Sequence, residues 1–291
     1  MNDYVVFTDS CADLDDTLLL ELDVHFIPMH FTLDDAAYTN WPDGRELSFK
    51  AFYEKLRNGA SSTSTQVTVE EFKEAFRPVL EKGYDVLYVG LSSGLSNTIS
   101  SGLLAAEELV KEFPQRTVRI VDSLSASMGE GLLTWHVVQQ KKQGKSVNEA
   151  ADWAENNRLK LAQWVTVDDL HFLKRGGRLS GTAAMVGTML NIKPMIHVDN
   201  DGRLTVVKKM RGRRNSLKEL VNKMEQVSVA PQEQTIFISH GDCLADAEFV
   251  AEEIRQRMNP KRVYINYIGP VIGGHSGPGT VALFFMANGR D

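Results

Sequence analysis

The stretch "DVLYVGLSSGLSNTISSGLLAAEELVKEF", residues 85–113, decides the fold. Its first seven residues are a short, nearly continuous apolar run, the pattern of a strand buried on both faces. A hydroxyl- and glycine-rich loop follows. The remainder has the spacing of a helix with one apolar side. The same rhythm recurs on both sides of it. "YVVFTD" (Tyr4 to Asp9) reads as a strand followed by a turn and a helix. "TVRIVDS" (Thr117 to Ser123) reads as a strand leading into the helix "SMGEGLLTWHVVQQKKQG". Strands alternating with helices predict a parallel sheet covered on both faces and joined by right-handed crossovers. The loops that leave the strands then gather at their carboxyl ends, where open α/β sheets hold ligands.

A second half begins near Leu159. "AQWVTVDDL" is strand-like, and "MIHVDNDGRLTVVKKM" predicts a hairpin turning at Asn200-Asp201-Gly202. "QTIFISHGD", "LADAEFVAEEIRQRM" and "VYINYIG" read as strand, helix, strand. The expected architecture is α/β, with two domains and largely parallel sheets. Residues 1–158 form the first domain and 159–291 the second, with a ligand site between them. A length of 291 residues fits two domains.

Hydrophobic residues make up 43% and charged residues 24%, the mix of a globular protein. A net charge of −6 argues against bulk nucleic-acid binding. Cys11 and Cys243 sit at no metal or redox spacing, which fits a reducing compartment. The opening residues lack the basic region and long apolar core of a secretory leader, so a cytoplasmic protein is expected. Residues 263–289 contain no Lys, Arg, Asp or Glu and are long enough to span a bilayer. Prolines, glycines, Asn266 and His275 interrupt them, so they read as strand, loop, strand inside protein.

Three loops are rich in hydroxyls: "TDSCAD" (Thr8 to Asp13), "STSTQVT" (Ser62 to Thr68) and "SSGLSNT" (Ser92 to Thr98). The last two precede helices. Helix starts carry free N–H groups and partial positive charge, and hydroxyls beside them add rotatable donors, so an anion site is one reading. Helix capping is the other. "GLSSG" (Gly90 to Gly94) also matches the G-x-S-x-G of a nucleophile elbow. With Asp168, Asp169 or Asp242 and then His275, it gives the chain order of a serine hydrolase built on Ser92 and His275.

From Arg203 to Lys218, both included, there are seven basic residues and no acidic one. "LKRGGRL" (Leu173 to Leu179) adds three more. These read either as a solvated face or as a surface for phosphate or an acidic partner. His275 lies in "GPVIGGHSGPG", where glycines allow close approach to a ligand and prolines stiffen the chain. No cluster has metal-ligand spacing. No P-loop or dinucleotide fingerprint is present, so the chain is not expected to bind ATP or any other cofactor by itself.

Taken together, these motifs resemble the DegV family, the fatty-acid-binding subunits of bacterial fatty acid kinase. "TDSCADL", "STQVTVEEF", "SSGLSNTISSG", "VDSLSASMGEG", "LKRGGRLS", "LNIKPMIHVDNDG", "MRGRRNSL" and "GPVIGGHSGPG" follow in the family's order along the whole chain. Val67 replaces a proline of the pattern, Asn97 a glycine and Ile99 a tyrosine. The resemblance implies a non-catalytic carrier. A long-chain fatty acid would lie between the domains with its tail buried, and a separate kinase would phosphorylate its carboxylate. By position, Ser64, Thr65, Ser92, Ser93 and His275 would contact the carboxylate, and Arg178 and Arg211 would face the kinase or the phosphate. The implied partners are the fatty acid, the kinase and, transiently, a membrane; nucleic acid is not among them. "TAAMVGTMLNI" and "IPMHF" are candidate tunnel walls.

Overall fold

The computed structural model describes residues 3–179 and 191–290. The first half runs β1 (Tyr4–Asp9), α1 (Asp16–Leu22), β2 (Val24–Ile27), β3 (His30–Leu33), β4 (Ala36–Thr39), α2 (Phe49–Arg57), β5 (Ser62–Ser64), α3 (Val69–Glu81), β6 (Asp85–Gly90), α4 (Thr98–Glu112), β7 (Val118–Asp122), α5 (Met128–Lys142) and α6 (Val147–Asn157). The second runs β8 (Leu161–Thr166), α7 (His171–Arg175), β9 (Ile192–Val198), β10 (Leu204–Arg211), α8 (Arg213–Val227), β11 (Thr235–His240), α9 (Leu244–Met258), β12 (Arg262–Tyr267), α10 (Pro270–Ser276) and β13 (Val281–Met286).

The first sheet has the order β2-β1-β6-β7 and is parallel throughout. Successive side chains of its strands point to opposite faces, and each face has its own helices. Phe7, Val86 and Tyr88 meet Phe72 and Phe76 of α3 and Leu109 of α4. Val6, Leu87 and Val89 share a core with Leu132 of α5 and Ala150 of α6. That double burial is why the two central strands, β1 and β6, read as nearly unbroken apolar runs. Thr68 caps α3 and Ser146 caps α6, each in a capping box with a glutamate three residues on.

The second sheet has the order β10-β9-β8-β13-β11-β12. Here the expectation of a largely parallel sheet gives way. β11 and β12 pair in parallel, and the four other neighbouring pairs are antiparallel. Two connections account for three of the four antiparallel pairs, and β8 with β9 forms the fourth. The hairpin at residues 199–203 reverses the chain between β9 and β10, as its turn residues imply, with Gly202 at φ 72°. β13 then returns antiparallel between β8 and β11 after α10. α8 and α9 cover one face through Leu220, Val221, Val250 and Ile254.

The other face, through Val165, Ile196, Phe237 and Phe284, joins the core that α5 shares with the first sheet. α5 is therefore wedged between two sheets. Its first seven residues are all buried, which no one-sided helix could achieve. The second sheet begins at Leu161, yet the hydrophobic core continues across that point.

A small antiparallel sheet, β4-β3-β5, stands beside α10. The segment around His275, expected as a loop, is the short helix α10, opened by Pro270 at its first position and closed by Gly277 at φ 81°. Among the described residues, no helix is long and apolar enough to cross a membrane.

Candidate functional site

A cavity of about 460 Å³ lies between the first sheet and the second, within the roughly 300–1,000 Å³ of small-molecule sites. The loops after β6 and β7 form part of its wall, as the carboxyl ends of a parallel sheet lead one to expect. β8, β9, β13 and α10 supply the opposite wall.

Exposed polar groups mark the opening of this cavity, and its buried lining is mostly apolar, with Ser127, Gln163, Ser276 and Thr280 as the buried polar side chains. Thr65, Ser93, Asn97 and Arg178 line it and are exposed, which places them at the mouth. Val165, Ile268, Val271, Ala282 and Phe284 line it and are buried, which places them in the interior. Met29, from the expected wall "IPMHF", also contributes. The other expected wall, residues 182–192, lies almost wholly outside the described residues.

Ser64 and His275 come together here from opposite ends of the chain. Nε2 of His275 is 3.1 Å from Oγ of Ser64, and both line the cavity. Burial pushes the imidazole down to about 4, and the Arg178 and Arg175 guanidiniums push in the same direction. The ring is therefore neutral at pH 7. With the proton on Nε2, His275 donates to Ser64 and leaves the Ser64 hydroxyl hydrogen free for a ligand oxygen. Ser276, which the sequence reading passed over, follows His275 on the cavity wall. Its Oγ is buried with no partner among the described residues.

Ser92 lies elsewhere. It is fully buried, its Oγ donates to Gly202 O at 2.8 Å, and it accepts from Gly94 N–H. It ties the β9–β10 hairpin to the first half instead of facing the cavity. Its backbone is outside the left-handed region that a nucleophile elbow uses. His275 pairs with Ser64, so the Ser92–His275 hydrolase is not assembled. Arg211 is exposed on β10 and is not part of the wall. The basic run is dispersed over β10 and α8, with Lys208 paired to Glu219 and Arg213 to Asp246.

The loop "TDSCAD" is also off the cavity wall and acts beneath it. Asp9 accepts from Tyr88 OH at 2.6 Å and from Leu91 N–H at 3.2 Å, which fixes the start of the β6 loop. Asp13 accepts from Gly269 N–H at 2.9 Å and from the Ser127 hydroxyl, clamping the starts of α10 and α5. Ser127, on the cavity wall, has φ 54° and ψ −145°, a conformation that persists where its surroundings enforce it. Among the described residues, no group of three or more His, Cys, Asp or Glu could hold a metal ion.

Comparison with known proteins gives the family and the fold. A family model described as "Uncharacterised protein, DegV family" matches residues 3–288. A DegV domain-containing protein of Clostridium perfringens is 44% identical over 291 residues, covering 100% of both chains. A DegV family protein from Thermus thermophilus, whose structure is described as fatty acid binding, superposes with a TM-score of 0.85 at 30% identity, over 99% of this chain and 100% of that one. DegV from Bacillus subtilis, described as a fatty acid binding protein, superposes with a TM-score of 0.86 at 25% identity, again over 99% and 100%.

Proposed function

This chain belongs to the DegV family, and from that premise we propose that it binds a long-chain fatty acid between its sheets and presents the carboxylate to a separate kinase. The observation that carries the reading is the make-up of the cavity: exposed hydroxyls and Arg178 with the Ser64–His275 pair on its wall, and a buried lining that is mostly aliphatic. An amphiphile with one anionic end has this pattern.

The energetics favour such a ligand. Each buried methylene contributes about 0.8 kcal/mol, so a tail of ~14 methylenes contributes on the order of 11 kcal/mol before association and ordering are deducted. A carboxylate buried without partners would forfeit much of that. Ser64, Thr65, Ser93 and Ser276 bring hydroxyls to the cavity, His275 holds the Ser64 hydroxyl in place, and Arg178 brings positive charge at the mouth. Residues 1–158 supply the hydroxyl loops in this division of labour, and residues 159–291 supply His275 and Arg178. The exposed mouth leaves the head group within reach of a second protein, and the chain has no P-loop with which to supply phosphate itself.

Native mass spectrometry of the purified protein tests the carrier. A co-purifying or added fatty acid retained at one copy per chain is the expected result. A protein that arrives empty and takes up no fatty acid would end the proposal. The kinase step is tested separately by acyl-phosphate formation when a fatty acid kinase, ATP and the loaded protein are combined.

A further inference from the structure

α7 and α10 meet by exchanging rings. A Cβ on Gly176, at the carboxyl end of α7, would lie 2.3 Å from Nδ1 of His275. A Cβ on Gly277, just after α10, would lie 2.4 Å from Cδ2 of Phe172. Neither distance is tolerated between real atoms, so each glycine makes room for the other helix's ring. At Gly176 the reason is space alone: its φ of −71° and ψ of −11° suit any residue.

The imidazole is thus held from two sides. Its Nδ1 edge rests on the bare backbone of Gly176, and its Nε2 edge reaches Ser64 at 3.1 Å. On the α7 side, Arg175 stacks over Phe172 with 5.0 Å to the ring centroid, and Arg178 follows two residues after Gly176. The ring seat and the two cations beside it therefore belong to one short segment.

We infer that Gly176 is a positioning residue: by leaving its side-chain volume empty, it seats the imidazole of His275 against Ser64 and so fixes where the ligand carboxylate is held. This rests on the fatty-acid reading above. An alanine at 176 would push the ring off Ser64 while leaving the aliphatic interior of the cavity untouched.

A double-mutant cycle tests it, with hexadecanoate and its methyl ester as probes. Gly176→Ala is expected to weaken hexadecanoate binding on the order of tenfold, the size of one hydrogen bond to a charged group, and to change ester binding little. In a His275→Ala background, where no ring remains to displace, Gly176→Ala is expected to have no further effect. Unchanged hexadecanoate affinity in Gly176→Ala, an equal loss for the ester, or the same loss in the His275→Ala background would each overturn the inference.

A ligand-free readout stands beside the cycle: the imidazole Cε1–H resonance of His275 should shift in Gly176→Ala, and an unmoved resonance would also overturn it. If the single variant does not fold, the double variant should, because the clashing ring is gone; a double variant that also fails to fold speaks against the seat. Wild-type protein that binds no hexadecanoate would sink the fatty-acid reading, and the resonance would still decide the role of Gly176.

Discussion

Asp13→Asn should change how stability depends on pH, because Asp13 is an acid buried where its charge is poorly tolerated. Burial pushes its carboxyl from the ordinary 3.8 up to about 8; hydrogen bonds from Ser127 and Gly269 oppose the rise, and the nearby Asp9 adds to it. At about 1.4 kcal/mol per tenfold change in the proton equilibrium, ionising Asp13 in the folded protein is penalised by on the order of 5 kcal/mol. The native state holds the proton more tightly than the unfolded chain does. The penalty is therefore absent below about pH 4, grows as pH rises and is complete above about pH 8.

Asparagine keeps the shape without the charge. Its carbonyl can accept from Gly269 N–H, and its amide can donate to Ser127 Oγ, which already contacts Ser239 Oγ at 2.9 Å. Urea unfolding of both proteins across pH 4.5 to 8.5 measures the effect. The variant should gain relative to the wild type by several kcal/mol over that range. A difference between the two proteins that stays constant within ~1 kcal/mol would refute the reasoning, since no proton would then be linked to folding at this carboxyl.

Three further outcomes follow from the geometry. Ser92→Ala should lower stability by about 1–3 kcal/mol, because it leaves the Gly202 carbonyl without its hydroxyl donor; thermal melting measures this, and a fluorophosphonate probe should label neither protein. Fatty acid binding near pH 5 should take up protons, because the free imidazole of His275 titrates at about 4 and an adjacent carboxylate raises that value; calorimetry in buffers of different ionisation enthalpy measures the uptake. Ala282→Phe should shorten the longest acid retained in native mass spectra, because Ala282 lies on the buried cavity wall and a ring there takes up tail volume.

The first sheet was legible in the sequence because its information is local. The apolar run Val86 to Val89, followed by a helical period, specifies a strand covered on both faces whatever the rest of the chain does. The hairpin at Asn200 to Gly202 was legible for the same reason, since a left-handed glycine marks the turn. The order of motifs along the chain was enough to identify the family.

Strand direction in the second sheet was not legible, because a short apolar run such as Val281 to Met286 reads the same in either direction. Its place between β8 and β11 is a choice of partners made by the folded chain. The roles of the serines were hidden likewise. Ser64 and Ser92 sit in similar hydroxyl-rich loops, yet one meets His275 across 211 residues and the other meets Gly202 across 110. Residue type and spacing record what a side chain can do; which atom it meets depends on the path of the backbone between them, and only the packed structure settles that path.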